Sequence, residues 1–185
     1  RVGTGDKVAV FGCGGVGLSA IQIAIALGAQ VFAVDVSNVA RQRAADLGAV
    51  ALAPDGVVER IIELTGGGVH VAIDALGSAS TELAAVRSLR RRGRYVQVGL
   101  MLGTDARAPL PWDLVVAYEL EIYGSHGMAA CDYPAMLSMV SSGVLRPAEL
   151  VGQVISLAEA PAALMAMDSP AASTAGMTVI DLTRH

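Results

Sequence analysis

Two cysteines and three histidines are all this chain holds of the residue types that make disulfides and soft metal sites. Cys13 and Cys131 form neither a disulfide framework nor a metal-ligand spacing. His70 falls in a strand pattern, His126 follows Gly124-Ser125 and His185 is terminal, so no zinc site assembles from them. Net positive charge is also missing: 13 Lys and Arg stand against 17 Asp and Glu, a formal charge of −4, which leaves no electrostatic footprint for nucleic acid. The one basic cluster, Arg87 with Arg90-Arg91-Arg92 and Arg94, reads as a solvated helix end, where cations offset the helix dipole. No stretch approaches the roughly 18 consecutive apolar residues of a membrane span. Residues 20–29 come nearest, and Gln22 and Gly28 mark them as a buried helix. No basic-then-apolar leader is visible. These absences point to a reducing, cytoplasmic setting with neither nucleic acid nor membrane as partner.

Apolar residues, by contrast, are abundant. They make up 54% of the 185 residues before the 21 glycines are counted, whereas soluble domains average roughly 45–50% with glycine included. Much of the excess is alanine, but it also suggests a face covered by something outside this chain. Short β-rich runs at 7–11, 30–34, 50–53, 69–73, 94–98 and 119–123 alternate with helical patterns at 15–28, 38–47, 55–64, 78–91 and 112–118. Near-continuous apolar strands are buried on both faces. The expected fold is therefore α/β: a doubly wound, parallel six-stranded sheet of Rossmann type. A further helix, 131–142, closes at Gly143. The tail reads as strand 151–156, helix 158–167 and strand 176–182, continues no βαβ series, and looks like a piece of some other structure. The division expected is 1–143 and 144–185.

Residues 7–35 carry the chemistry: KVAVF, GCGGVG, a helical stretch, then VFAVD. The spacing Gly12-x-Gly14-x-x-Gly17 between strand and helix is the dinucleotide fingerprint. Gly12 permits the tight turn, Gly14 lets backbone approach a pyrophosphate, and Gly17 lets the helix pack on the strand. The pyrophosphate rests on the helix N-terminus, where free N–H groups and the dipole favour an anion. The loop set is Gly12, Cys13, Gly14, Gly15, Val16 and Gly17, with Cys13 packing beneath the loop. Asp35 ends the second strand, where its carboxylate can take both ribose hydroxyls and repel a 2′-phosphate, favouring NAD over NADP. Alternatively it caps the next helix, a task open to Ser37 or Asn38. Arg41 and Arg43 read as solvated helix charges. A methyltransferase loop would be GxGxG with an acidic residue just before it; Phe11 and the Val16-Gly17 spacing do not fit.

The strand ends Asp74-Ala75-Leu76-Gly77 and Val98-Gly99-Leu100 share the same carboxyl edge, where their backbone could hold a nicotinamide carboxamide. Asp74 is read as a turn or helix cap rather than an acid or base, and no residue of the chain is assigned a catalytic role. His126 is the one polar side chain that could visit this edge, with loop packing as the alternative.

At this point the chain resembles the cofactor-binding half of the medium-chain dehydrogenase/reductase family, in its zinc-dependent alcohol dehydrogenase branch. The matching stretches are Gly5-Asp6-Lys7-Val8 into GCGGVG, VDVSN with RAADLGA (34–49), VHVAIDALG (69–77), LRRRGRYVQVGL (89–100), ELEIYGS (119–125) and LAEAPAALMAMDS (157–169). The resemblance implies hydride transfer between a small-molecule alcohol or carbonyl compound and NAD. It implies that Gly12 to Gly17 bind pyrophosphate, that Asp35 binds the adenosine ribose, and that Ala75, Leu76, Val98, Gly99 and Leu100 line the ribose and nicotinamide side. It assigns the zinc ligands and most of the substrate pocket to an N-terminal domain, with 144–185 as the returning segment of that domain, so this chain alone is expected to be inactive. Two contacts common in the family differ: Ala40 stands for a lysine and Met177 for a basic residue near the last strand. The sixth strand, 119–124, is expected to pair across a dimer two-fold. Rival readings are a zinc-free NADPH-dependent quinone or enoyl reductase and a non-catalytic dinucleotide-binding module.

Overall fold

A computed structural model describes residues 2–167 and 176–184. Six strands form one sheet: β1 (Lys7–Phe11), β2 (Gln30–Val34), β3 (Val50–Leu52), β4 (Val69–Asp74), β5 (Leu89–Gln97) and β6 (Glu121–Gly124). Their order is β3-β2-β1-β4-β5-β6, and every neighbouring pair is parallel. The reversal of strand order between β1 and β4 opens a crevice at the carboxyl edge, the place where doubly wound sheets bind ligands. Side chains alternate across a strand, which explains the lack of polar alternation in β1. Val8 and Val10 join one core with Leu18, Ile21, Val31 and Val71, while Ala9 and Phe11 join the other with Phe32, Ile61, Val86 and Tyr95.

Helices α1 (Gly15–Ala26), α2 (Asn38–Asp46), α3 (Val57–Thr65), α4 (Ala79–Arg87), α5 (Trp112–Ala117) and α6 (Tyr133–Ser141) connect the strands or follow them. Gly28 and Gly48 take left-handed φ of +84° and +102° just past α1 and α2, the conformation that ends a helix most cheaply in glycine.

The expected helix 78–91 runs four residues too far at its C-terminal end. Helix α4 ends at Arg87 and β5 begins at Leu89, so Arg87 closes the helix as expected, whereas Arg90, Arg91, Arg92 and Arg94 lie on a strand and not at a solvated helix end. Leu89 pairs with Val69 and Arg94 with Val71, so β5 carries extra residues that bulge out of the ladder. Arg92 sits there with φ +57°. Its N–H donates to the Tyr118 carbonyl at 2.7 Å, its guanidinium pairs with Glu119 at 2.7 Å, and Arg91 stacks over the Tyr118 ring. Arginine is a good helix former, and local propensity hid a bulge that only pairing with β4 defines. Strand β6 starts two residues later than expected because Glu119 is also left-handed, at φ +52°.

In the tail, β7 (Val151–Ile155), α7 (Ala160–Ala166) and β8 (Met177–Ile180) follow the expected order. The two strands pair in parallel as a separate sheet, so the tail is a βαβ unit in its own right and does not extend the series of the main sheet. It is sewn to α1 and α2. Leu145 and Leu150 are buried, the Gln22 carboxamide exchanges two hydrogen bonds with the backbone of Arg146, and Arg43 donates to the Val151 carbonyl. Arg43 is thus a tie between elements and not a solvated charge. Residues 168 and 169 of the resembling stretch, and His185, lie outside the described residues. None of the described helices is long and apolar enough to cross a membrane.

Candidate cofactor site

The glycine loop leaves β1 at Gly12, whose φ is +90° and whose N–H donates to the Val34 carbonyl at 2.8 Å. A Cβ on Gly12 would press within 3.2 Å of Leu76, and one on Gly17 would lie 1.8 Å from the Gly12 carbonyl oxygen. That second contact is impossible for any other residue unless α1 retreats from the loop. Gly14 begins α1 in an extended conformation, without a side-chain cap, and a Cβ there meets no protein atom within 4 Å. The first turn of α1 holds no acidic residue. Its free N–H groups and positive dipole end therefore face an open approach suited to an anion.

Cys13 is fully buried. Its Sγ lies 3.7 Å from the Val34 carbonyl oxygen, and burial, reinforced by the Asp35 charge, pushes its thiol up to about 12. It packs beneath the loop. Asp35 stands beside it at the end of β2. Its Oδ2 accepts from the Cys13 N–H at 2.7 Å and its Oδ1 from the Ser37 N–H at 2.8 Å. Ser37, not Asp35, caps α2 by accepting from the Ala40 N–H. Arg41 donates to the carbonyls of Asp35 and Val36, at 2.6 and 3.0 Å, and to the Asn38 side chain. The expected solvated Arg41 is instead a brace under the strand end. Ala40 is buried.

The facing wall comes from β4 and β5. Asp74 is completely buried, with Oδ1 accepting from the N–H groups of Leu76 and Gly77 and Oδ2 from the Thr81 hydroxyl. Its carbonyl accepts from Val98 and Gly99. All of these bonds serve the turn. The two strand-end loops then cross backbone to backbone: a Cβ on Gly77 would fall 2.4 Å from the Leu100 carbonyl oxygen, and one on Gly99 would fall 2.4 Å from Leu76. This leaves Leu76 and Leu100 facing outward, 60% and 66% exposed, with Val16 on the opposite lip at 54%. Behind Asp74, burial and the negative charges of Asp74 and Asp105 push the Glu82 carboxyl up.

All twelve residues expected at the site lie on three neighbouring stretches at one sheet edge: Gly12–Gly17, Asp35, and the crossing Ala75-Leu76 and Val98-Gly99-Leu100 loops. Sequence reasoning missed two contributors. Gly77 is needed for the crossing; its signal is a glycine closing a strand-end turn. Met177 was noted only as a lost cation, yet its Cγ lies 2.8 Å from where a Gly15 Cβ would stand. It lines, with Gly15, Val16, Ile155, Ala163 and Met167, a cavity of about 810 Å³ between α1 and the tail. His126 is exposed beyond β6. His70 sits on β4, its Nδ1 accepting from the Lys7 N–H at 2.9 Å. Among the described residues no three His, Cys, Asp or Glu side chains gather to hold a metal ion.

Comparison with known proteins gives this geometry a family. The zinc-binding dehydrogenase family model matches residues 15–142. The chain is 35% identical over 161 residues to (R,R)-butanediol dehydrogenase of Bacillus subtilis, covering 85% of this chain and 45% of that protein. It is 35% identical over 146 residues to an alcohol dehydrogenase of Geobacillus stearothermophilus, covering 77% and 42%. The crystal structure of 2R,3R-butanediol dehydrogenase from Bacillus subtilis superimposes with a TM-score of 0.83 at 31% identity, covering 94% of this chain and 50% of that one. The chain spans a little under half the length of these curated relatives. It belongs to the zinc-binding dehydrogenases of the medium-chain dehydrogenase/reductase family and corresponds to their cofactor-binding half.

Proposed function

We propose that this chain binds NAD for an alcohol dehydrogenase, in which the nicotinamide, when bound, accepts a hydride from an alcohol carbon. The observation that carries the reading is the pairing of an uncapped glycine-loop helix with the Asp35 carboxylate at the loop's edge. In this reading the N–H groups at Gly14 to Gly17 hold the pyrophosphate. Asp35 offers its remaining lone pairs to the ribose hydroxyls, and its charge opposes a 2′-phosphate. Ala75, Leu76, Val98, Gly99 and Leu100 line the nicotinamide side. A zinc ion finds no donor set among the described residues; metal and alcohol belong to the other half of the family enzyme. Residues 1–143 then form the dinucleotide-binding domain and 144–185 the returning segment of the catalytic domain. Strand β6, the outer strand of the sheet, pairs two copies, and the two free cysteines suit a cytoplasmic protein.

Titration with NADH and with NADPH, followed by cofactor fluorescence, tests this reading. NADH is expected to bind at least tenfold more tightly, and a preference for NADPH would overturn the NAD assignment in favour of the reductase reading. The chain alone is expected not to oxidise simple alcohols with NAD. Measured turnover would refute the assignment of the chemistry to the other half.

A further inference from the structure

Asp35 has a second task at this edge: we propose that its carboxylate is the pin that holds the glycine loop in its anion-binding shape before any ligand arrives. The inference rests on the cofactor reading above, but it concerns a different bond. Cys13 is the residue between Gly12 and Gly14, and it is fully buried, so its N–H has no access to water. Among the described residues this N–H has one acceptor, Asp35 Oδ2 at 2.7 Å, a charge-assisted contact of the stronger kind. The same carboxylate takes the Ser37 N–H, and Arg41 holds the Asp35 and Val36 carbonyls from below. With Gly12 N–H and Cys13 Sγ both directed to the Val34 carbonyl, the loop is fastened to the end of β2 by three bonds, of which the Asp35 side chain makes one. Removing that side chain strands a buried donor, a loss that is expensive and that the loop can relieve only by turning the Cys13 peptide away. Such a turn also moves the N–H groups of Gly14 and Gly15 that would meet the phosphates. Asp35 is thus a positioning residue for the pyrophosphate as well as a ribose ligand.

The two roles predict opposite signs for a probe that has phosphates and no ribose. A carboxylate beside an anion site repels the anion. If Asp35 served only the ribose, Asp35→Ala would tighten the binding of inorganic pyrophosphate, and Asp35→Asn would tighten it equally. If Asp35 pins the loop, Asp35→Ala weakens pyrophosphate binding by about three- to tenfold, the worth of a hydrogen bond. Asp35→Asn weakens it less, since its one oxygen can still take one of the two N–H groups. The experiment measures pyrophosphate affinity of the full chain by calorimetry. It also follows amide exchange at Cys13 in the ligand-free chain by NMR. Exchange is expected to rise roughly tenfold in Asp35→Ala and less in Asp35→Asn. Equal tightening in both variants, or a Cys13 exchange rate unchanged in both, overturns the proposal. Failure of the wild-type chain to bind NADH, with Cys13 exchange still governed by Asp35, would instead sink the cofactor reading and leave the pin standing.

Discussion

Replacing Gln22 by methionine removes the polar stitch between α1 and the tail while keeping an unbranched, helix-favouring side chain of similar length. Gln22 is 9% exposed. Its Nε2 donates to the Arg146 carbonyl at 3.2 Å and its Oε1 accepts from the Arg146 N–H at 2.9 Å. Each such bond has a net worth of about 0.5–1.5 kcal/mol, and the methionine leaves both backbone groups of Arg146 without partners. The expected loss is therefore about 2 kcal/mol from both bonds together. Gln22→Glu sets a buried carboxylate oxygen against the Arg146 carbonyl, so at neutral pH it is expected to destabilise at least as much as Gln22→Met. Urea unfolding measures the energy, and limited proteolysis between residues 143 and 151 measures the docking of the tail. A Gln22→Met chain that matches wild type within about 0.5 kcal/mol, and resists protease equally, would refute the reasoning. Burial of Leu145 and Leu150 would then suffice to hold the tail.

Gly17→Ala forces a Cβ to within 1.8 Å of the Gly12 carbonyl oxygen; overpacking against backbone costs about 1–3 kcal/mol, and NADH affinity is expected to fall at least tenfold by fluorescence titration. The His70 imidazole is held below its ordinary value by burial first and then by the Arg90 charge, so the folded chain disfavours protonation. Its contribution is complete above a pH of about 6.5 and is lost as pH falls through the lower folded value, where protonated Nδ1 can no longer accept from Lys7. In unfolding measurements between pH 7 and 5, His70→Gln should lose less stability than wild type, and parallel profiles would contradict this. Arg92→Gly relieves a left-handed φ of +57° at the loss of an exposed ion pair with Glu119, and exposed pairs contribute little. The melting temperature should rise by a few degrees, and a fall would show that the pair outweighs the strain.

Much of this architecture was legible because its signals are local. Near-continuous apolar runs identify strands covered on both faces, and their alternation with helical patterns dictates a doubly wound sheet; β1 and β2 match their expected bounds. Glycine spacing marked the loop because Gly12 and Gly17 answer steric demands that no other residue meets. The errors fell where local preference and pairing disagree. Arg90-Arg91-Arg92 has helical propensity, yet the chain there must return to β4 in register. The tail's strands could not be recognised as partners of each other, since nothing in either run encodes which strand lies beside it.

Sequence by itself determined the fold class, the position of the glycine loop and the acidic residue that ends β2. Those follow from periodicity, glycine sterics and spacing along the chain, which act over a few residues. Tertiary structure alone decided what those residues do to one another. It brought Asp35 onto the Cys13 N–H, crossed the Gly77 and Gly99 loops at a distance only glycine allows, set Met177 against Gly15 and closed the Gln22 carboxamide on Arg146. Each is a contact between segments far apart in sequence, and its geometry depends on how the strands are ordered and how the helices lie on the sheet. A hydrogen bond needs its atoms within a few tenths of an ångström, and that precision exists only once the whole sheet has assembled.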